Sequence, residues 1–314
     1  MQGLELARRY YEEYGAPMLH EQFPEIEGLI AAGLCGSGSE CLGFDDEVSQ
    51  DHDFEAGFCL FLPGEDVIDR QTAFRLERAY AKLPKEFMGV KKSLISPAGG
   101  SRHGVIRMSE FFLAKTGNAE GVLRGYDWFR VPEQSLLEAV NGEIWRDDSG
   151  VFSARREALR RMPEDVRLKK LAGELAAMAQ AGQYNYLRCL DHGEEGAAQL
   201  SAISFAQAAI HAVFLLNRRF MPYYKWQFRA MRSLPKLSGL ESALAGLIGG
   251  GSGAGDMMEK YATIENIASA VIEELQEQGI SEAVCGDLSK HANSVNDHVA
   301  DPALRNEDIF FAVG

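Results

Sequence analysis

"GLCGSGSECLGFDDEVSQDHDF", residues 33–54, decides how this chain is read. Its glycines and serines lead to two aspartates, Asp51 and Asp53, one residue apart. The apolar run "LIAAGLC" (29–35) stops at the glycines and predicts a buried strand. "DHDFEAGFCLFL" (51–62) alternates, is rich in aromatics, and predicts a second strand antiparallel to the first. Strand side chains alternate between faces, so Asp51 and Asp53 point the same way, with Cα atoms about 6.6 Å apart. Two carboxylates at that spacing can share a hard cation such as Mg²⁺ that still accepts phosphate oxygens. "GSGS" (36–39) can turn tightly and aim backbone N–H groups and hydroxyls at an anion. A phosphate cradle beside a metal site is what phosphoryl or nucleotidyl transfer requires.

The surrounding pattern completes a small mixed sheet. Residues 3–14 read as an amphipathic helix ending near Gly15 and Pro17. "PGED" (63–66) reads as a turn and 69–83 as a helix. "HGVIRM" (103–108) is expected as a third strand, with Ser109 capping the short helix "EFFLAKTG". "DWFRVPEQSLLEAVNGEIWRDDSG" (127–150) is irregular and reads as a connection carrying one helix. From Ser153 onward the pattern is helical, broken by the "GGGSGAG" linker at 249–255. The expected fold class is α+β: a sheet domain over 1–130, a connecting segment over 131–152 and an all-helical domain over 153–314.

Composition narrows the function classes. The net charge of -14 disfavours bulk nucleic-acid binding through phosphates. Cys35, Cys41, Cys59, Cys189 and Cys285 are scattered and odd in number. That fits reduced thiols rather than a disulfide framework or a zinc site. No apolar run approaches the roughly 18 residues of a membrane span, and "MQGLELARRYYEEYG" lacks the pattern of a signal peptide. The expectation is a cytoplasmic protein with no membrane partner.

The stretch "GSECLGFDDEVSQDHDF" resembles the signature of the nucleotidyltransferase superfamily: Gly-Ser, a spacer, then Asp-x-Asp on a strand. On that resemblance Gly38 and Ser39 are the Gly-Ser pair and would seat the triphosphate. Gly43 belongs to the following turn, Ser49 precedes the acids, and Asp51 and Asp53 would be the catalytic, metal-binding pair. "GQYNYLR" (182–188) and "FLLNRRFMPYYKW" (214–226) are similar to a bacterial family of nucleotidyltransferase-like proteins. The resemblance implies Mg²⁺ or Mn²⁺, an NTP substrate with ATP expected, and NMP transfer to a hydroxyl acceptor. That acceptor would be a small molecule, a protein side chain or a tRNA end. A toxin-like protein-modifying transferase and a non-catalytic nucleotide-binding regulator are the alternatives.

Such enzymes carry a third carboxylate on a neighbouring strand, and "HGVIRM" offers none in its middle. Glu110 stands at an expected helix start, where an acid suits the dipole. Glu55 shares a face with the two aspartates. In the helical half, Tyr223, Tyr224 and Trp226 alternate with Lys225 at a break marked by Pro222. Aromatics can stack a base and a lysine can hold phosphate. Lys225, Tyr224 and Arg188 are therefore nucleotide-binding candidates, Lys225 reaching into a cleft that the helical domain closes. Arg218 and Arg219 are expected to sit at a helix end.

Overall fold

A computed structural model of the chain describes residues 1–46, 55–91, 103–250 and 254–313. It is α+β, with a small mixed sheet in the first half and helices thereafter. Two compact units divide the chain, Met1–Arg161 and Met162–Gly314.

The first unit is built around β1 (Ala31–Leu34) and β2 (Cys59–Leu62). They pair antiparallel, as the alternation of the sequence implies, with Gly33 opposite Cys59. The hairpin β3 (Glu86–Phe87) and β4 (Val90–Lys91) stands apart from this sheet. β5 (Gly104–Arg107) runs parallel to β2, and β6 (Glu143–Arg146) runs antiparallel to β1. The order across the sheet is β5-β2-β1-β6. The segment expected to be a mere connection, 131–152, thus supplies an edge strand. Its signal was hidden because "EIWR" is short and only half-buried.

Both faces of the sheet are covered. On one side α1 (Gly3–Tyr10), a π-helical turn (Tyr11–Gly15), α2 (Ala16–Gln22) and α3 (Arg70–Ala81) flank the core. That core joins Leu6, Tyr10, Leu19, Phe58, Leu60 and Leu76. The first helix does not stop at Gly15 and Pro17. The wider π turn makes room for the Pro17 ring, which has no N–H to donate, and the chain stays helical to Gln22. Gly15 is there for packing, since a Cβ would lie 2.5 Å from the Phe58 ring. Asp69 caps α3, accepting from the Thr72 N–H at 2.7 Å.

On the other side lie α4 (Met108–Thr116), α5 (Asp127–Arg130), α6 (Glu133–Val140) and α7 (Val151–Arg160). Phe61 of β2 stacks on Phe152 at 4.1 Å and meets Phe111 edge-on at 5.1 Å. Such pairs add about 0.5–1.5 kcal/mol each beyond burial. Ser109, expected to cap α4, lies inside it. Arg107 holds the cap position without a side-chain bond.

The second unit is helical. It comprises α8 (Glu164–Met178), a π-helical turn (Ala179–Asn185), α9 (Tyr186–Asp191) and α10 (Glu195–Leu216). A 3₁₀ turn (Tyr224–Trp226), α11 (Gln227–Met231), α12 (Leu240–Gly249) and α13 (Ala254–Glu277) follow. α14 (Leu288–Asp297) and α15 (Pro302–Arg305) complete it. α8 is buried on nearly every side, so its charged residues each find partners. Lys169 donates to the carbonyl of Glu307 at 2.7 Å, and Glu174 meets His211 at 2.8 Å. α10 is long and apolar enough to match a membrane span in length and composition, contrary to the expectation from the sequence. Its apolar surface is that of a core helix, with 72% of its most apolar window buried in the unit.

Candidate functional site

Four chain segments meet at one end of the sheet. β1 leaves there at Leu34, β2 enters beside it at Cys59, β5 enters at Gly104 and β6 at Glu143. The "GSGS" turn therefore sits at the mouth of every strand. Gly36 and Gly38 have φ of +122° and +145°, a region that side chains resist, so these two glycines are required by the turn itself. Glu40 folds back over the turn, its carboxylate 2.6 Å from where a Cβ on Gly38 would lie. Ser39 starts a 3₁₀ turn, Glu40–Leu42, that ends at left-handed Gly43. Asp45 then accepts from the Gly3 N–H at 2.7 Å, tying the loop to the start of α1.

The turn is clamped from the end of α6. Asn141 accepts from the Gly36 N–H at 2.9 Å and donates to the Gly36 carbonyl at 2.8 Å. Arg156 in turn holds the end of α6, donating to the carbonyls of Ala139 (3.1 Å) and Asn141. Arg160 donates to Val140 O at 2.8 Å. Burial lowers the Arg156 pKa, yet a guanidinium stays charged. The orphan carbonyls at the end of α6 are thereby satisfied, and Asn141 is held in place.

A cavity of about 230 Å³ opens between this turn and α4, lined by Cys35, Gly36, Ser37, Cys59, Glu110 and Lys115. Glu110 lies in the first turn of α4, and Lys115 pairs with Glu138 of α6. Burial pushes the Cys35 thiol up to about 11 and the Cys59 thiol well above its ordinary value. Burial thus disfavours the thiolate at both positions. The remaining donors, the Glu110 carboxylate and the Ser37 hydroxyl, are hard oxygens that suit Mg²⁺ or Mn²⁺. Among the described residues, no group of three His, Cys, Asp or Glu side chains is placed to hold a metal alone. At the start of β5, His103 Nδ1 meets Glu55 at 3.0 Å. The Glu55 carboxylate is thus engaged by a buried histidine at the start of β5.

Asp51, Asp53 and Ser49 fall outside the described residues. Gly38 and Ser39 stand together in the turn. Arg188, Tyr224 and Lys225 belong to the second unit. Arg188 lies over the Tyr184 ring at 5.0 Å, and the Lys225 ammonium lies 5.0 Å from the Trp226 ring. Both cations are exposed, as is Tyr224, whose ring is tilted against Tyr223 at 4.3 Å. Arg218 pairs with Glu164 at a helix end, as its position in the sequence implies.

Residues 128–227 match the model of a family described as a domain of unknown function, DUF4037. The match runs from α5 to the 3₁₀ turn that carries Tyr224 and Lys225. It therefore contains Asn141 and Arg156, which hold the glycine turn, but not the turn itself. No curated protein matches the chain.

Sequence reasoning missed Lys115 and Asn141. Glu110, Phe111, Ala114 and Lys115 repeat at helical spacing, so the shared face was open to be read once "EFFLAKTG" was taken as a helix. Nothing local marks Asn141. Its role depends on Gly36, distant in sequence, arriving beside it.

Proposed function

We propose that the chain is a Mg²⁺-dependent nucleotidyltransferase moving an NMP from an NTP, with ATP expected, to a hydroxyl acceptor. One observation carries this reading: Gly36, held by Asn141 at the end of the sheet, and Ser37 of the glycine turn line a cavity that also presents Lys115. Backbone N–H groups of such a turn, apart from the Gly36 N–H that Asn141 takes, and a lysine ammonium are complementary to phosphate oxygens. Glu110 supplies a carboxylate at the same cavity, a candidate for the third acid that the sequence pattern around Asp51 and Asp53 lacks. Asp51 and Asp53, with Glu110, would hold Mg²⁺, which when bound neutralises charge on the triphosphate and its leaving group. Lys115 would hold a phosphate oxygen and Ser39 would position the chain of phosphates. The acceptor class and a cytoplasmic setting belong to the same proposal.

The test is calorimetric titration of ATP with and without Mg²⁺. Wild type should bind in a Mg²⁺-dependent way. The Asp51→Asn/Asp53→Asn pair should lose the metal dependence, and Lys115→Gln should weaken binding about tenfold or more. Unchanged binding in both variants would overturn the reading. Gly38→Val is a poor probe, since φ of +145° strains any side chain there irrespective of ligand. The engagement of Glu55 by His103 favours a second reading, nucleotide binding without transfer. Release of labelled pyrophosphate separates the two.

A further inference from the structure

The second unit holds a larger cavity, of about 760 Å³, within the range typical of small-molecule sites. It is built by the "GQYNYLR" stretch. There the α8 backbone widens into the π-helical turn, a form that often marks functional positions. Gly182 lets this turn sit against α10 and α13: a Cβ would lie 2.4 Å from Phe205 and 2.7 Å from Ile264. Gln183 braces the far wall. Its amide donates to Glu265 at 3.1 Å and to the Gly286 carbonyl at 2.8 Å, and accepts from the Leu288 N–H at 2.9 Å. The Gln183 amide is spent on architecture, and it fixes the loop that carries Asp287.

What faces the cavity then defines the ligand. Tyr184 and Phe310 contribute aromatic rings, 60% and 43% exposed. Gln180, Ser289 and Asn293 contribute neutral hydrogen-bonding groups. Asp287 is the single charged side chain among the described lining residues. Its carboxylate accepts from the Ser289 N–H at 2.9 Å, which fixes its position at the cap of α14. Arg188 covers one face of Tyr184. Rings suit the C–H face of a sugar, neutral amides and hydroxyls suit its hydroxyl groups, and a lone carboxylate suits an ammonium.

We propose that this cavity binds an amine-bearing, hydroxylated ring compound of about disaccharide size, with Asp287 pairing the ammonium and Tyr184 and Phe310 stacking on the ring. The site stands on its own lining and does not rest on the nucleotide reading.

Calorimetry of the full chain with the β-1,4 disaccharide of glucosamine tests it, with cellobiose as the same skeleton lacking amines. The amino disaccharide should bind, and cellobiose at least about tenfold more weakly. Asp287→Asn keeps a side chain equally able to cap α14 and should remove that preference. Tyr184→Ala, at an exposed position, should weaken the amino disaccharide several-fold with the thermal midpoint unchanged. No binding of the amino disaccharide at millimolar concentration, equal binding of cellobiose, or an Asp287→Asn variant that keeps the preference would overturn the proposal.

Discussion

Glu164 carries two guanidinium groups on one carboxylate. Arg167 donates to Oε1 at 2.6 Å, and Arg218 donates to Oε2 at 2.5 Å and Oε1 at 3.0 Å. The hydrogen bonds from Arg167, reinforced by Arg218 against the opposing effect of burial, hold its pKa at about 2 rather than the ordinary 4.5. The folded value is the lower one, so the stabilisation is present above the unfolded pKa and is lost as pH falls through the folded one. Glu164→Gln should therefore be less stable than wild type at pH 6, by about 1 kcal/mol given the group's partial exposure. The gap should close between about pH 4.5 and 2, read from urea midpoints. A gap that persists at pH 2 would mean that shape, not charge, matters there. Arg156 differs, because it is buried and serves backbone carbonyls. Arg156→Met preserves the stem but strips the donors from Ala139 and Asn141, at a cost of about 1–3 kcal/mol. Because Asn141 clamps Gly36, the same variant should weaken ATP binding in the calorimetric assay. Intact binding would uncouple the clamp from the site.

At the scale of elements, close approach decides more than propensity. β1 reads "AAGL" and is buried throughout, flanked by strands on both edges. A Cβ on Gly33 would lie 2.3 Å from the Glu143 carbonyl, a backbone atom that cannot swing away. The register between β1 and β6 shifts at this point, as expected where a glycine admits an irregularity. Gly33→Ala should separate β6 from β1 and cost about 1–3 kcal/mol. Faster amide exchange along Glu143–Arg146 would report it, and unchanged exchange would show that the edge adapts. β1, β2 and β5 were legible within 29–35, 51–62 and 103–108 because apolar runs and turn residues bracket them, but β2 begins only at Cys59: residues 55–58 are not strand, and 51–54 lie outside the described residues. β6 was not, since its partner lies more than a hundred residues away in sequence. Pro17 misled in the opposite direction. It is a sound helix-stop signal that a π turn accommodates, and that turn is favoured by tertiary packing of Tyr11 against Phe58.

For the whole molecule, the contacts divide at Arg161 and Met162, so α7 belongs with the sheet rather than with the helices that follow. Each unit has its own core: Leu60, Phe58 and Leu76 in the first, and α10 with α8 in the second. Residues 162–314 expressed alone should give a cooperative, highly helical melt, checked by circular dichroism. A broad, non-cooperative melt would show that the second unit depends on the first. The fold class, the antiparallel β1–β2 pair and the glycine turn between them follow from the sequence by itself. Strand alternation and the φ demands of glycine are local properties, and they are written in adjacent residues. Tertiary structure alone decided that Lys115 and Glu110 share a cavity with the turn, that Asn141 holds Gly36, and that Gln183 is a brace rather than a ligand-binding amide. Those roles depend on which distant backbone groups arrive beside each side chain, and that is fixed by packing, not by spacing along the chain.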